Sequence, residues 1–439
     1  MADDQPRGFK LYIAKVRLFT RNATMVLVYS GLTGLAFGVF RLLFNFYVLS
    51  LGGYNEEFLG LLTSLSSAAA LVVALPAAYL AERFSQKRIM LWTGIISALT
   101  FLGLVMLPTR GFLIIFNIVS GLATATRQIA VSPFLMTNTS EDERSYVFSF
   151  NFGLNTTASF VGNLVGGLLP LWLGGMVHAG ATDTLSYRLA LGSMVFVSMI
   201  AIGPLAMIFE RPADPGRIVE MPWTLMWQHS GILTRLILPQ WIIGLGAGMM
   251  MPFMNLYYRN VFGQSDAMIG YLFASGALAM GVAQFIAPPI AERIGKINTV
   301  VWTQALSVPF LLSLGLAAWI VPRGGSVLLW FAIAWAAYLF RLALMNLSGP
   351  VYQIFILEQV PRNVQALSAS LNGLAFQFGW VLSPQLSGWF QANYGFVPVF
   401  LTTATLYVIG IAITWAFFHN TEKSRPPVDV DGAEPALTG

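Results

Sequence analysis

The feature that most constrains this chain is a series of long, uninterrupted apolar stretches. A helix needs about 20 mostly apolar residues to cross the hydrocarbon core of a bilayer. Twelve stretches meet that requirement, at 23–51, 57–81, 88–108, 111–136, 146–175, 187–209, 232–261, 266–290, 297–321, 326–356, 364–390 and 395–418. Hydrophobic residues make up 56% of the chain and charged residues 10%, against about 25% charged in soluble domains. Too few charges remain to coat a water-facing globule. A membrane β-barrel is also disfavoured, because its strands alternate polar and apolar residues. The expected class is an all-α membrane protein with twelve transmembrane helices.

The chain has no cysteine, which removes disulfides, thiolate metal sites and cysteine nucleophiles. Its three histidines, His178, His229 and His419, fall at or beyond the ends of apolar stretches, so no metal site is expected. No phosphate-binding glycine loop and no nucleophile–histidine pair is evident. An enzyme and an ATP-driven pump are therefore disfavoured, and no cofactor is expected. The net charge of +5 does not point to nucleic acid, because the basic residues sit mostly in short loops. Sorted by side of the membrane, 17 Lys and Arg fall on the side holding the N-terminus and four on the other, namely Arg110, Arg188, Arg259 and Arg323. That bias places both termini in the cytoplasm of a multi-pass plasma (inner) membrane protein. The first apolar stretch is too long for a secretory signal.

Between the sixth and seventh stretches lies a Pro- and charge-rich segment, ERPADPGRIVE, followed by MPWTLMWQH. The expected organisation is a six-helix bundle over 1–210 with a basic N-terminus and a linker over 211–231 with a short amphipathic surface helix. A second six-helix bundle follows over 232–419, and then a disordered tail over 420–439. The halves also repeat. At an offset of 210, Gly34 falls on Gly244, Gly38 on Gly248, Asn45 on Asn255, Tyr47 on Tyr257, Gly53 on Gly263, Gly60 on Gly270, Glu82 on Glu292 and Arg83 on Arg293. Most of these identities are glycine or polar, so shared apolar composition does not account for them. A duplicated six-helix unit does.

Two loops carry a family resemblance. Ala77–Arg88 reads AAYLAERFSQKR, and Pro288–Asn298 reads PPIAERIGKIN. Both resemble the cytoplasmic loop signature of the major facilitator superfamily, G-x-L-A-D-R-x-G-R-K. The resemblance implies two pseudo-symmetric bundles, a small-molecule substrate, alternating access and a monomeric carrier. It also implies a conformational latch, carried here by Glu82, Arg83 and Lys87 and by Glu292, Arg293 and Lys296.

Three arginines lie well inside apolar stretches: Arg41, Arg127 and Arg341, on spans one, four and ten. A charge at that depth is costly and marks a functional site by default. In the family plan, spans one, four, seven and ten line the central cavity. Helical spacing groups Gly34, Gly38, Arg41 and Asn45 on span one, and Gly244, Gly248, Met251 and Asn255 on span seven. It likewise groups Thr124, Arg127 and Gln128 on span four, and Tyr338, Arg341 and Tyr352 on span ten. The expected substrate-binding set is Arg41, Asn45, Arg127, Gln128, Asn255, Tyr338, Arg341 and Tyr352, with an organic anion or an anionic amphipath as substrate. No acid lies at mid-depth, so the coupling ion stays open. Multidrug efflux is the alternative within the class. A non-transporting sensor or a lipid scramblase on the same scaffold is the alternative outside it.

Overall fold

The computed structural model describes residues 19–209 and 223–420. The described residues are helical almost throughout. Six long helices form the first half: α1 Arg21–Ser50, α2 Glu56–Arg83, α3 Gln86–Met106, α4 Arg110–Thr137, α5 Glu141–Met176 and α6 Thr184–Ala206. A short helix, α7 Trp223–Gln228, precedes the second half. Span seven is broken: α8 Ser230–Met250 and α9 Met254–Phe262 are joined by a 3-10 turn at Met251–Phe253. Then follow α10 Asp266–Ile294, α11 Lys296–Ile320, α12 Val327–Glu358, α13 Arg362–Tyr394 and α14 Val397–Phe418. Among the described residues, eleven spans are both long and apolar enough to cross a membrane. The twelfth, α13, has the length but carries Gln365, Asn372, Gln377, Gln385 and Gln391. The N-terminal segment, the body of the linker and the C-terminal tail anticipated from the sequence lie outside the described residues.

Polar residues fix the helix starts. The side chains of Thr20, Asn55, Ser85, Ser265 and Ser326 accept from backbone N–H groups at the starts of α1, α2, α3, α10 and α12. Each thereby satisfies a donor that would otherwise lack a partner. The outer surface is apolar, with Val72, Trp92, Phe196 and Trp302 all exposed. On a chain of this class, such a surface faces lipid.

The packing is polarised along the helix axes. At the end where α1 begins and α14 finishes, here called the termini end, the halves have separate apolar cores. One surrounds Val26, Met90, Phe134 and Leu205, and the other surrounds Leu236, Val300, Val351 and Phe355. At the far end a single core runs through both halves and includes Leu42, Phe46, Tyr187, Met254, Tyr258 and Leu272. The halves are therefore joined at the far end and parted at the termini end.

The repeat is visible in three dimensions. Tyr47 donates to the Val105 carbonyl at 2.8 Å and lies 3.4 Å from that of Leu104, while its counterpart Tyr257 donates to Leu314 at 2.8 Å. Glycines carry the seam between halves. A Cβ on Gly60 would fall 2.3 Å from the Pro384 carbonyl oxygen, and one on its counterpart Gly270 would fall 2.6 Å from that of Asn163. Gly388 meets the Glu56 carbonyl and Gly167 that of Asp266, at 2.3 and 2.6 Å on the same measure. Glu56 and Asp266 are again 210 apart. Two crossings, α2 with α13 and α5 with α10, thus close the far end at backbone contact.

Candidate functional site

The principal cavity has a volume of about 790 Å³. It is walled by α1, α2, α3 and α4, with Ser198 from α6 and one face of α13. Phe37, Phe40 and Phe101 line its apolar side. Ser66, Ser67, Asn117, Thr124, Ser370 and Gln377 supply neutral polar groups. Among the described lining residues, Arg127 is the only charged one.

Tyr29 holds Arg127. The guanidinium donates from Nη1 to the Tyr29 hydroxyl at 2.8 Å and lies 5.5 Å from that ring's centroid. Arg127 is half-buried, and Gln128 beside it is exposed to the cavity. Tyr29 in turn rests against α3, where a Cβ on Gly94 would sit 3.7 Å from its hydroxyl. One turn further along α3 is Ser97, whose buried hydroxyl has no hydrogen-bond partner. The cavity therefore combines a fixed cation, spare hydrogen-bonding capacity and aromatic walls. That chemistry suits an anionic or strongly polar head on an apolar body.

The other residues expected to bind substrate fall elsewhere. Arg41 is exposed and lies one turn from cavity-lining Phe37. It does not line the cavity. Arg341 is 2% exposed. It donates from Nη2 to the Tyr407 hydroxyl and from Nη1 to the Met251 sulfur at 3.2 Å, and its Nε has no partner. It thus braces α12 against α14 and against the broken turn of span seven. Tyr352 donates to the Leu236 carbonyl at 2.7 Å, tying α12 to α8. Tyr338 is buried against Phe273 and Tyr258. Among the described lining residues, none comes from span seven or span ten.

Asn45 and Asn255 meet each other. Asn45 Nδ2 donates to Asn255 Oδ1 at 3.0 Å and to the Pro252 carbonyl at 2.7 Å. Asn255 Nδ2 donates to the Leu42 carbonyl at 2.9 Å. Leu42 and Pro252 are themselves equivalent in the repeat, so each carboxamide grips the same carbonyl of the opposite half. The two residues form a self-complementary clasp on the pseudo-twofold axis. Interhelical hydrogen bonds inside membranes contribute about 0.6–2 kcal/mol. Asn45→Ala and Asn255→Ala should shift the equilibrium between closed and open far ends by similar amounts, and the double variant by much less than their sum. Label-to-label distances across the seam measure this. Full additivity would show that the two side chains act independently.

At the expected latch, Lys296 at the start of α11 pairs with Glu358 at the end of α12. Glu292 and Arg293 are exposed at the end of α10. Lys87 lies at the start of α3, and the side chains of Glu82 and Arg83 are outside the described residues. Sequence reasoning missed the partner of Arg127, Tyr29. The polar residues of α13, Gln377 among them, were the sequence signal for its cavity face.

Comparison with known proteins sharpens this picture. The Major Facilitator Superfamily profile matches residues 26–384 and 236–437. Multidrug resistance protein MdtG of Proteus mirabilis (strain HI4320) is 26% identical over 189 residues, 42% of this chain and 43% of that protein. MdtG of Dickeya zeae (strain Ech586) is 27% identical over 198 residues, 43% and 44% of the two. The match thus spans less than half the length of these relatives. Among solved structures, a bacterial homolog of the human lysosomal transporter Spinster, inward-facing and unoccupied, aligns over 96% of this chain and 100% of its own. Its TM-score is 0.73 at 13% identity. A mutant form of the nucleoside transporter NupG aligns over 90% and 99%, with a TM-score of 0.72 at 12% identity. A D-xylose–proton symporter aligns over 92% and 98%, with a TM-score of 0.69 at 13% identity. At such identities the likeness is one of fold.

Proposed function

Because the chain belongs to the Major Facilitator Superfamily, we propose that it is a secondary carrier for a small organic anion or an amphipath with an anionic head, working by alternating access. The observation that carries this reading is the lone cation among the described residues of the cavity wall: Arg127, oriented by Tyr29, beside neutral polar groups and three phenylalanines. An arginine held at that depth is costly, and an anionic guest offsets the cost by supplying the countercharge. The joined far end and parted termini end correspond to a state that faces the side of the termini. With the loop charge bias, that side is the cytoplasm of an inner-membrane protein acting as a monomer.

A second reading, efflux of drug-like amphipaths, is favoured by one specific observation: relatives at 26% and 27% identity carry the name multidrug resistance protein. The two readings differ in which ligands bind. A thermal-stability screen of the purified protein against matched organic anions, cations and neutral amphipaths separates them, since a ligand that binds only the native state raises its stability. Stabilisation selective for anions is the expected result. Stabilisation by cations or neutral amphipaths alone would overturn the anion reading and favour efflux.

A further inference from the structure

The far-end seam contains a charged cluster that the cavity does not use. Among the described residues, Asp266 is the only buried carboxylate, 7% exposed. It opens α10 in the second half. One of its oxygens accepts from the Tyr187 hydroxyl of α6, in the first half, at 2.9 Å. The other pairs with Arg259 of α9. The Arg259 guanidinium lies over the ring of Phe46, on α1 of the first half, 3.4 Å from its centroid, and 5.8 Å from the ring of Tyr187. α5 meets this corner through Gly167, which packs on the Asp266 backbone and brings no titratable group. Arg188, next on α6, is directed at Tyr47 instead. Tyr187 and Arg259 are therefore the ionisable groups that face Asp266, and Phe46 is the ring that holds Arg259.

The cluster crosses the seam asymmetrically. The repeat places Glu56 opposite Asp266 and Leu49 opposite Arg259, so only one of the two equivalent corners carries an ion pair. The Arg259–Asp266 contact lies within the second half and survives a rocking motion. The Tyr187–Asp266 hydrogen bond and the Phe46–Arg259 contact join the halves and break when the far end opens.

We propose that Asp266 is the proton-coupling site of this carrier: its carboxylate, ionised, completes the closed far end, and a proton taken from the far side releases it. The closed seam binds the ionised form through two partners, Arg259 and Tyr187, and the open seam keeps only Arg259. The proton therefore binds preferentially to the open form. By linkage, closure is favoured at higher pH and lost as pH falls. An inward proton gradient would then favour opening toward the acidic side. The proposal rests on the alternating-access reading above, but its test needs no substrate.

Because the chain lacks cysteine, Thr182→Cys and Leu328→Cys introduce two unique label sites, one at the far end of each half. Spin-label distances in lipid nanodiscs should show the long-distance, open population rising several-fold between pH 8 and pH 5. Asp266→Asn keeps an oxygen for Tyr187 and removes the charge. It should be biased toward the open form at both pH values and lose the pH response. Tyr187→Phe keeps the charge and removes the cross-seam hydrogen bond. It should shift the equilibrium toward opening and flatten the response. A pH response in Asp266→Asn equal to that of the unsubstituted protein would overturn the proposal, as would a pH-independent distance distribution in the unsubstituted protein. Loss of anion binding in the stability screen would leave these distances unchanged, so the two readings fail separately.

Discussion

Arg127→Gln should weaken binding of the stabilising anions by about tenfold to a hundredfold, on the order of the 1.5–3 kcal/mol carried by a hydrogen bond to a charged group. The fold should persist, because the Arg127 side chain is half-buried with Tyr29 as its hydrogen-bond partner and is absent from the apolar cores. Tyr29→Phe should have a smaller effect. It leaves the charge in place but frees the guanidinium to rotate, so the loss is one of orientation. Affinity by calorimetry and ligand-induced change in melting temperature report both. Arg341→Gln is the informative contrast. Arg341 lies outside the cavity and is buried between α12, α14 and the turn of span seven. Its replacement should lower stability while leaving anion affinity within a few-fold of the original. If Arg341→Gln abolished binding and Arg127→Gln did not, the site would have to move to the second half.

The second large effect concerns the seam. Gly60→Val together with Gly270→Val should prevent the far end from closing and reduce transport at least tenfold. At both positions the atom in the way is a backbone carbonyl oxygen, at 2.3 and 2.6 Å from an added Cβ, which cannot swing aside as a side-chain tip can. Overpacking costs about 1–3 kcal/mol per site. The two sites sit on separate crossings, so their effects should add. Gly192→Ala, with open space around it, is the control and should transport normally. Seam distances should lengthen in the double variant and remain unchanged in the control. A double variant that still closed and transported would show that the seam relaxes around the added groups.

Much of the fold was legible in the sequence because the bilayer imposes a length and a polarity on each span. The twelve apolar stretches correspond to the long helices within a few residues. The break in span seven was less visible: Pro252 follows a methionine run that reads as continuous helix, and only the seam shows why the turn is used there. The repeat identified Asn45 and Asn255 as equivalents but gave no sign that they touch. Equivalence follows from duplication, whereas contact requires that both positions lie on the symmetry axis. Depth marks Arg127 together with Arg41 and Arg341, and only the structure sets Arg127 on the cavity wall and adds Tyr29, which no spacing rule connects to it across 98 residues. Asp266 reads in the sequence as an ordinary first-turn acid behind a serine cap. Its burial depends on α6 and α9, elements that converge on it only in three dimensions.

The division of the apolar interior into one shared and two private clusters bears on how this protein comes apart. With the far end shut, α1, α6, α9 and α10 draw on a common core, so melting one half removes support from the other. Unfolding from this state should be a single cooperative transition. A conformation open at the far end splits that core in two, and each bundle must then stand on its own. Such a form should melt earlier and in two steps. Backbone amides near Leu42 and Met254, slow to exchange with deuterium in the shut form, should become the first to exchange.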